Sequence, residues 1–523
     1  MCGIAGFVSI ASHDSELIVR MTTPIRHRGP DDEGYVIFSD AGRNPLVCGG
    51  ADTPANAYAG AWDYSPVQSI SSVAGTPVTM AFGHRRLSIV DLSPLGHQPM
   101  SYSNARYWIT YNGEIYNHVE LRAELGSLGH RFSSHADTEV LLAAYAQWGE
   151  QCLHRLNGMW AFAILDRLES TLFIARDRFG VKPLYYWISP EGLFAFASEI
   201  KQFIELPGWQ ARINAQRTYD FLVFGLTDHT HETMFDGLFQ LKPGHCMKID
   251  LKRIGELAPN QAISTQSWYV LKAAPFIGTF EDACEKFRQT FMDSVKLRLR
   301  ADVPVGSCLS GGLDSSSIVC MMNELLSQQE APAIQKTFSA CTDVERYNER
   351  KWIDIVVDET GVDAHYVYPS LENLFEESDQ ITWHQDEPFG STSIYAQWNV
   401  FKLASVAGVK VMLDGQGADE YLAGYHGFFG ARLAGLFKEL RWIELMREAL
   451  SMRRIHAYSL STSLKFLANH ILPHGIADAL KQKIGHTHST PSWLNLQALP
   501  AEPVDPKYAT GAREGSLYTL SLS

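Results

Sequence analysis

The spacing of apolar residues changes near residue 285, and this change constrains the fold more than any other feature of the sequence. Before about residue 205, short apolar runs such as 107–116 and 171–176 are separated by Gly, Pro, Asn and Asp. That pattern is typical of antiparallel strands. After residue 285, apolar runs such as 303–309 and 409–414 alternate with helical patterns. This alternation predicts a doubly wound α/β fold, in which helices cover both faces of a parallel sheet.

The chain is long enough for several domains. It has 523 residues, whereas a single hydrophobic core stops growing at roughly 250–300 residues. We predict an N-terminal domain over residues 1–205, a connector over 206–284 and a C-terminal domain over 285–523. Residues 41–75 are rich in Gly, Ala, Ser and Pro, so we expect a loop or insertion there rather than core. Residues 516–523 have the pattern of the middle of a helix, and we therefore expect the C-terminal domain to be incomplete.

The overall charge bears on the class of partner. The net charge of −14 and the pI of about 5.7 disfavour nucleic acid or an anionic membrane as the main partner. The sequence has no run of about 18 apolar residues, so it predicts no transmembrane helix. The eight cysteines include no CxxC pair, which argues against a zinc site or a redox dithiol. We expect a cytoplasmic protein with free thiols that acts on small molecules.

Cys2 directly follows the initiator methionine. If Met1 is removed, Cys2 carries both a thiol and a free α-amine, and the amine can take the thiol proton near neutral pH. One residue then serves as both nucleophile and base. A cysteine is more often a buried structural residue, so this interpretation depends on the neighbouring sequence as well as on the position.

A second motif has the character of a phosphate-binding loop. Residues 309–316, LSGGLDSS, follow a predicted strand and open a predicted helix. Small residues at such a position allow backbone N–H groups to converge on an anion at the helix N-terminus. The lysine of the G-x-x-x-x-G-K-[ST] motif is absent, so this loop is not a Walker A loop.

Five motifs in order give the chain its strongest resemblance to known proteins. They are MCGIAGF (1–7), RHRGPD (26–31), HRRLSIVD (84–91), NGEIYN (112–117) and DTE (137–139). The set resembles class II glutamine amidotransferases, and the resemblance to the asparagine synthetase B branch covers nearly the whole chain. It implies an Ntn-type α-β-β-α sandwich as the glutaminase domain. It also implies a parallel-sheet domain of the ATP-pyrophosphatase type as the synthetase domain.

The resemblance implies roles for individual residues of the glutaminase site. Cys2 would attack the side-chain amide of glutamine, and Asn112 and Gly113 would donate hydrogen bonds to the resulting oxyanion. Taken alone, Asn-Gly is also a common hairpin turn signal, so the functional interpretation depends on the whole set. The residues assigned by the resemblance to the α-carboxylate and α-ammonium groups of glutamine are Arg86, Glu114 and Asp137.

The resemblance also implies a site for ATP and Mg²⁺ in the C-terminal domain, of the type that splits ATP between the α and β phosphates. Asp314 would hold Mg²⁺ against the phosphates. Gln416 and Asp419 lie in a loop at 414–420 that matches the intermediate-forming loop of the family. The residues implied to bind ATP are Leu309, Ser310, Gly311, Gly312, Asp314, Ser315, Ala340, Asp414 and Gly415.

The implied reaction converts aspartate, glutamine and ATP into asparagine, glutamate, AMP and pyrophosphate through a β-aspartyl-adenylate, in a family whose members are often homodimers. One residue departs from the family pattern, because Gln416 stands where asparagine synthetases carry a glutamate. Glutamine cannot act as a base, and Glu387 is an alternative for that step. An enzyme that amidates another carboxylate, such as a sugar acid or a peptide, therefore stays open. The intact set around Cys2 disfavours a third alternative, a regulator with a relic site.

Overall fold

The computed structural model describes residues 1–38, 45–272, 274–328, 334–471 and 491–502. The chain divides into two compact units. The first unit comprises Met1–Ile213, Thr230–Val270 and Phe276–Asp414, and the second comprises Asn214–His229, Leu271–Pro275 and Gly415–Ser523. The domain boundaries expected at residues 205 and 284 stay predictions. Among the described residues, no helix combines the length and the apolar composition that a membrane crossing requires.

The strands are all in the first unit as far as the chain is described. In chain order they are β1 (Gly3–Asp14), β2 (Asp32–Phe38), β3 (Pro45–Gly49), β4 (Gln68–Ser69), β5 (Pro77–Arg86), β6 (Met100–Tyr102), β7 (Tyr107–Ile115), β8 (Gly158–Asp166), β9 (Thr171–Arg176), β10 (Tyr185–Ile188), β11 (Leu193–Ala197), β12 (Phe239–Gln240), β13 (His245–Asp250), β14 (Gln266–Ser267), β15 (Val305–Cys308), β16 (Lys336–Ala340), β17 (Asp363–Val367) and β18 (Val411–Leu413).

The helices occur in both units. In chain order they are α1 (Glu16–Thr22), α2 (His118–Ser127), α3 (Asp137–Trp148), α4 (Ala215–Phe224), α5 (Phe280–Arg298), α6 (Leu313–Ser327), α7 (Arg350–Thr360), α8 (Leu371–Gln385), α9 (Thr392–Val406), α10 (Ala418–Leu422), α11 (Phe428–Lys438), α12 (Trp442–His456) and α13 (Leu460–Ile471). Short 3-10 helices cover Thr23–Arg28, Ala55–Ala57, Ile70–Val73, Pro94–Gly96, Gly149–His154, Ile200–Glu205, Leu251–Glu256 and Glu345–Tyr347.

Two stacked sheets form the N-terminal part of the first unit. One has the order β12-β10-β11-β1-β5-β2-β3-β4 and the other has the order β14-β13-β9-β8-β7-β6. Phe82 of β5 and Trp108 of β7 belong to one buried hydrophobic core, in which the ring of Phe38 on β2 packs edge-on against both. Helix α1 packs on the outer face of the first sheet and α3 packs against β7 of the second. The expected α-β-β-α sandwich is confirmed.

A separate parallel sheet completes the first unit. Its order is β17-β16-β15-β18, and all neighbouring strands run in the same direction. The chain adds β16 and β17 on one side of β15 and then returns to place β18 on the other side. The strand order therefore reverses between β15 and β18, and ligands of open α/β sheets bind beyond the carboxyl ends of the strands at such a point.

The structure corrects one expectation about the insertion. Residues 45–49 are not a loop but strand β3, which pairs with β2 and buries Val47 and Cys48. Asp52 accepts hydrogen bonds from Arg85 at 2.7 Å and from Arg26 at 2.5 Å. The turn-forming composition of the segment hid a strand of only five residues. Residues 41–44 lie outside the described part of the chain.

The second unit is helical in its described part. Helix α11 packs against α12 and α13, and it buries Leu433 and Leu436. Asp220 of α4 is fully buried and accepts a hydrogen bond from Arg217 at 2.9 Å. The terminal segment 516–523, whose helical pattern suggested an incomplete domain, lies outside the described residues.

Candidate functional site

A cavity of about 830 Å³ in the first unit brings all six predicted glutaminase residues together. One part of its wall comes from the sandwich, and another part comes from α9 and from β18 of the parallel sheet. The predicted residues on the wall are Cys2, Arg86, Asn112, Gly113, Glu114 and Asp137. The residues on the opposite part are Phe401, Ala404, Ser405, Gly408, Val409, Lys410, Val411 and Met412. The same space is therefore open to the predicted nucleophile and to the strand that leads to Asp414.

Cys2 lies just before β1, at the polar part of the cavity. Its sulfur accepts a hydrogen bond from the Leu87 N–H at 3.4 Å, and Arg28 Nε donates to the Cys2 carbonyl oxygen at 2.9 Å. Met1 also lines the cavity, and burial lowers the pKa of its amine to about 5. Burial at this end of the chain therefore disfavours the protonated form of the Met1 amine.

Asn112 and Gly113 are consecutive residues of β7, which lies between β6 and β8. The Asn112 side chain is 1% exposed, and its Nδ2 has no hydrogen-bond partner among the described residues. A buried N–H without a partner is costly, so a ligand that accepts from it would gain a full hydrogen bond. Gly113 has no room for a side chain, because a Cβ there would lie 2.4 Å from the Met159 carbonyl oxygen.

Arg86 is at the end of β5 and is buried on the cavity wall. Its Nη2 donates to the Asp91 carbonyl oxygen at 2.5 Å and to the Val90 carbonyl oxygen at 3.4 Å, and Nη1 donates to the Ser93 carbonyl oxygen at 3.3 Å. Neutral carbonyls hold the guanidinium in place without cancelling its charge. The arginine is thereby oriented for a further anionic partner.

Asp137 and Glu114 supply negative charge to the same wall. Asp137 opens α3, and its Oδ2 accepts from the Tyr111 hydroxyl and from the Ile115 N–H, each at 2.8 Å. Burial raises the pKa of Asp137, and these two hydrogen bonds oppose the rise. Burial also raises the pKa of Glu114 to about 7, against the opposing charge of Lys182.

Lys182 lines the cavity and was not predicted as a site residue. It is 5% exposed, and its own N–H donates to Asp177 at 3.0 Å, which fixes its backbone. Burial lowers the pKa of this lysine, while Glu114 raises it. A lysine in a loop sequence such as RFGVKP is ordinarily on the surface, so no signal in the sequence marks it. Only the fold places it beside Glu114.

The predicted nucleotide loop lies at the point where the strand order reverses. Leu309 follows β15 and is buried, and Gly312 stands at the N-cap of α6. Gly311 adopts φ of +82°, a region that favours glycine. The Ser310 N–H donates to Ser315 Oγ at 3.1 Å, which closes the loop on the first turn of the helix. The first N–H groups of a helix have no intrahelical partner and face such an anion site.

Two neighbouring strand ends complete this edge within the first unit. Ala340 is the last residue of β16, and Asp414 follows β18. Gln397 of α9 donates to Asp414 Oδ2 at 2.9 Å. Because the carboxyl ends of parallel strands share one edge, the Ser310 loop, Ala340 and Asp414 lie at the same edge.

The rest of the predicted loop belongs to the second unit. Gly415 accepts a hydrogen bond from the Ala418 N–H at 3.2 Å, and Gly417 adopts φ of +92° at the N-cap of α10. Gln416 is exposed, and the carbonyl of Asp419 accepts from the Gly424 N–H at 2.9 Å. Glu387, the suggested alternative base, is in the first unit and accepts from the Met234 N–H at 2.6 Å.

The described residues contain no group of three or more His, Cys, Asp or Glu side chains that could hold a metal ion by themselves. A site with only one or two carboxylates fits a Mg²⁺ ion that is bound mainly by nucleotide phosphates, because Mg²⁺ at such sites keeps several waters. Asp314 lies in the first turn of α6, and its role as a ligand of Mg²⁺ stays a prediction.

Comparison with known proteins gives the family. The glutamine amidotransferase domain family matches residues 1–43 and 73–258, and the asparagine synthase family matches residues 286–500. A putative glutamine-hydrolysing asparagine synthetase 2 of Methanocaldococcus jannaschii is 32% identical over 81% of this chain and 76% of the relative. The chain covers 59% of the glutamine-hydrolysing asparagine synthetase 1 of Bacillus subtilis, at 32% identity over 82% of this chain. An amidase, chyE, of Penicillium rubens is 28% identical over 84% of this chain and 65% of the relative.

The two matched domains define a glutamine-dependent amidotransferase. The chain belongs to the family of glutamine-hydrolysing asparagine synthetases, which are ATP-using carbon–nitrogen ligases. The family match skips residues 44–72, so the segment that contains β3 is an insertion relative to the family even though it contributes a strand to the first sheet.

Proposed function

We propose that this chain hydrolyses glutamine at Cys2 and uses the ammonia to amidate the side-chain carboxylate of aspartate at the edge of the parallel sheet. The observation that carries the proposal is the cavity, because its wall includes all six predicted glutaminase residues and also α9 and β18. Ammonia released into water would be protonated and would lose its nucleophilicity. The two sites therefore need a shielded path between them.

The first half-reaction requires the removal of Met1, which frees the α-amine of Cys2. The amine accepts the thiol proton, and the sulfur attacks the side-chain carbonyl carbon of glutamine. Asn112 Nδ2 and the Gly113 N–H donate to the oxyanion. When the C–N bond breaks, ammonia leaves with the proton and a thioester remains, and water then releases glutamate.

The glutamine itself is held at its amino-acid end. The Arg86 guanidinium, oriented by backbone carbonyls, suits the α-carboxylate. Glu114 and Asp137 suit the α-ammonium group. Ammonia would then move along the cavity toward Ala404 and Val409, which are buried and apolar, and an apolar wall favours the neutral form.

The second half-reaction activates the acceptor. A carboxylate oxygen of aspartate attacks the α-phosphorus of ATP, pyrophosphate leaves, and the β-aspartyl-adenylate forms. Ammonia then attacks the acyl carbon, the added nitrogen loses a proton to solvent, and AMP leaves with the C–O bond electrons, which gives asparagine. The N–H groups of the Ser310–Ser315 loop suit the phosphates, and Asp314 would hold Mg²⁺, which neutralises phosphate charge when it is bound.

A second candidate is amidation of a different carboxylate, such as that of a sugar acid or a peptide. Gln416 favours it, because the family's glutamate at this position is replaced by a group that cannot ionise. The similarity to a protein named as an amidase agrees with it.

Product analysis separates the two candidates. The protein is incubated with ATP, Mg²⁺ and glutamine, and pyrophosphate release is compared with aspartate, sugar acids and short peptides as acceptors. Aspartate-dependent pyrophosphate with asparagine as product supports the first candidate. Glutaminase activity with pyrophosphate released only on another acceptor rejects it in favour of the second.

The role of the cavity has its own test in a pair of neighbouring positions on α9. Ser405 lines the cavity, whereas Val406 is 84% exposed and does not. We expect Ser405→Trp to lower product formed per glutamine hydrolysed by about tenfold and to leave ammonia-dependent synthesis within about twofold of wild type. Val406→Trp is the matched control and keeps both rates. Equal coupling in the two variants contradicts an ammonia path through this cavity.

A further inference from the structure

A chain of buried ion pairs connects the backbone of Cys2 with the part of the first unit that carries the parallel sheet. Arg28, whose Nε donates to the Cys2 carbonyl oxygen, also donates from Nη1 to Glu199 Oε1 at 2.7 Å. Glu199 Oε2 is bonded by the Lys201 ammonium group. Lys201 Nζ in turn contacts Asp386 Oδ1 at 2.8 Å. The three links from Arg28 to Asp386 are direct contacts between opposite charges.

The chain is shielded from water along its length. The exposed side-chain fractions are 7% for Arg28, 6% for Glu199, 2% for Lys201 and 7% for Asp386. Burial acts to raise the pKa of Glu199, but hydrogen bonding from His27 and the charges of Arg28 and Lys201 outweigh it and lower the pKa. Ion pairs in such surroundings are screened little, and loss of one partner leaves the other charge buried and unpaired.

Asp386 occupies a junction in the fold. It follows the last residue of α8 in a left-handed conformation, with φ of +65°, and its Oδ2 accepts from the Ile200 N–H at 2.6 Å. The next residue, Glu387, holds the Met234 N–H, and the chain then enters α9. Helix α9 lines the cavity and contacts Asp414 through Gln397.

A second contact between the sandwich and this part of the unit lies away from Cys2. Arg300, just after α5, donates to Glu120 of α2 at 2.5 Å and to the Tyr116 carbonyl oxygen at 2.7 Å. The Glu120 side chain is 57% exposed, so this pair is solvated. The Arg300–Glu120 pair offers a matched comparison, because it joins the same two parts of the unit and is not part of the buried ion-pair chain.

We propose that Lys201 and Asp386 are positioning residues, whose ion pair holds Glu199 and Arg28 and thereby lets the parallel-sheet part of the unit set the reactivity of Cys2. The inference rests on the proposed glutaminase function and deepens it. The groups assigned to glutamine binding lie on β5, β7 and α3, and the hydrogen bonds of Arg86 and Asp137 described above are made with other residues than those of the ion-pair chain. The ion pair therefore affects the chemical step more than the binding of glutamine.

The test uses the full chain with Asp386→Asn and with Lys201→Met, and it measures kcat and KM for glutamine hydrolysis without ATP. We expect kcat to fall at least fivefold and KM to stay within about twofold of wild type. Lys201→Arg, which retains the charge and its two carboxylate partners, is expected to restore most of kcat. Glu120→Gln is the matched control and leaves kcat unchanged.

The rate of Cys2 alkylation by iodoacetamide, followed by peptide mapping, gives a second readout that needs no turnover. Failure of wild type to hydrolyse glutamine would count against the proposed function, while a changed alkylation rate in Asp386→Asn would still support the positioning role. If Asp386→Asn does not fold, Lys201→Met/Asp386→Leu removes both charges and is measured instead. Rates of hydrolysis and alkylation within twofold of wild type in a folded variant would overturn the inference.

Discussion

If Glu114 binds the α-ammonium group of glutamine, as proposed above, the affinity for glutamine is expected to depend on pH near neutrality. Burial raises the pKa of Glu114 to about 7, although the charge of Lys182 opposes the rise. Relative to an ordinary glutamate, the increase of about 2.5 pKa units corresponds to roughly 3 kcal/mol against ionisation in the empty site, at about 1.36 kcal/mol per unit. The carboxylate prevails above pH 7 and the neutral acid below it. Since only the carboxylate attracts the α-ammonium group, affinity falls as the pH falls through 7.

The size of the effect follows from the titration. With a pKa of about 7, Glu114 is ionised in about nine tenths of the molecules at pH 8 and in about one tenth at pH 6. The Kd for glutamine is therefore expected to increase about tenfold when the pH is lowered from 8 to 6. Calorimetry on Cys2→Ala measures this Kd without turnover and without titration of the Cys2 thiol. Cys2→Ala/Glu114→Gln is expected to bind more weakly, with a Kd that is nearly independent of pH.

Two results would refute this reasoning. A Kd that changes less than twofold in Cys2→Ala would show that Glu114 is ionised throughout the range. A tenfold change that persists in the double variant would show that a group other than Glu114 titrates.

Further predictions concern other parts of the site. Asn112→Ala is expected to lower kcat for glutamine hydrolysis by about 10²–10³ with little change in KM, because the Nδ2 group acts on the oxyanion; an equal rise in KM without loss of kcat would assign it to binding instead. Gly113→Ala is expected to lower the free energy of unfolding by about 1–3 kcal/mol, measured by denaturant titration, because its Cβ would meet the Met159 carbonyl oxygen at 2.4 Å. Asp314→Asn is expected to abolish most pyrophosphate release and to retain glutaminase activity, and a parallel loss of both activities would contradict a role confined to the nucleotide.

Much of the fold could be predicted because local patterns dominate it. The strand at 171–176 was predicted with the observed bounds, since a short apolar run bounded by turn residues favours a strand. Strand β3 was missed, because Gly and Pro around a five-residue strand suggest a loop when the partner strand is unknown.

The residues of the candidate site also fall into those that the sequence predicts and those that it does not. Cys2 and Asn112 could be predicted because each is part of a contiguous motif. Lys182 could not, since its burial depends on the packing of the loop that carries it. The contact between Lys201 and Asp386 joins positions 185 residues apart, and one sequence gives no sign of such a pairing.

The most direct test of the account compares nitrogen sources. Wild type and Cys2→Ala are supplied with ATP, Mg²⁺ and aspartate, and asparagine formation is measured with either glutamine or ammonia as the nitrogen donor. We expect wild type to use both donors and Cys2→Ala to use only ammonia. Glutamine-dependent asparagine formation by Cys2→Ala, or no asparagine from either donor with wild type, would contradict it.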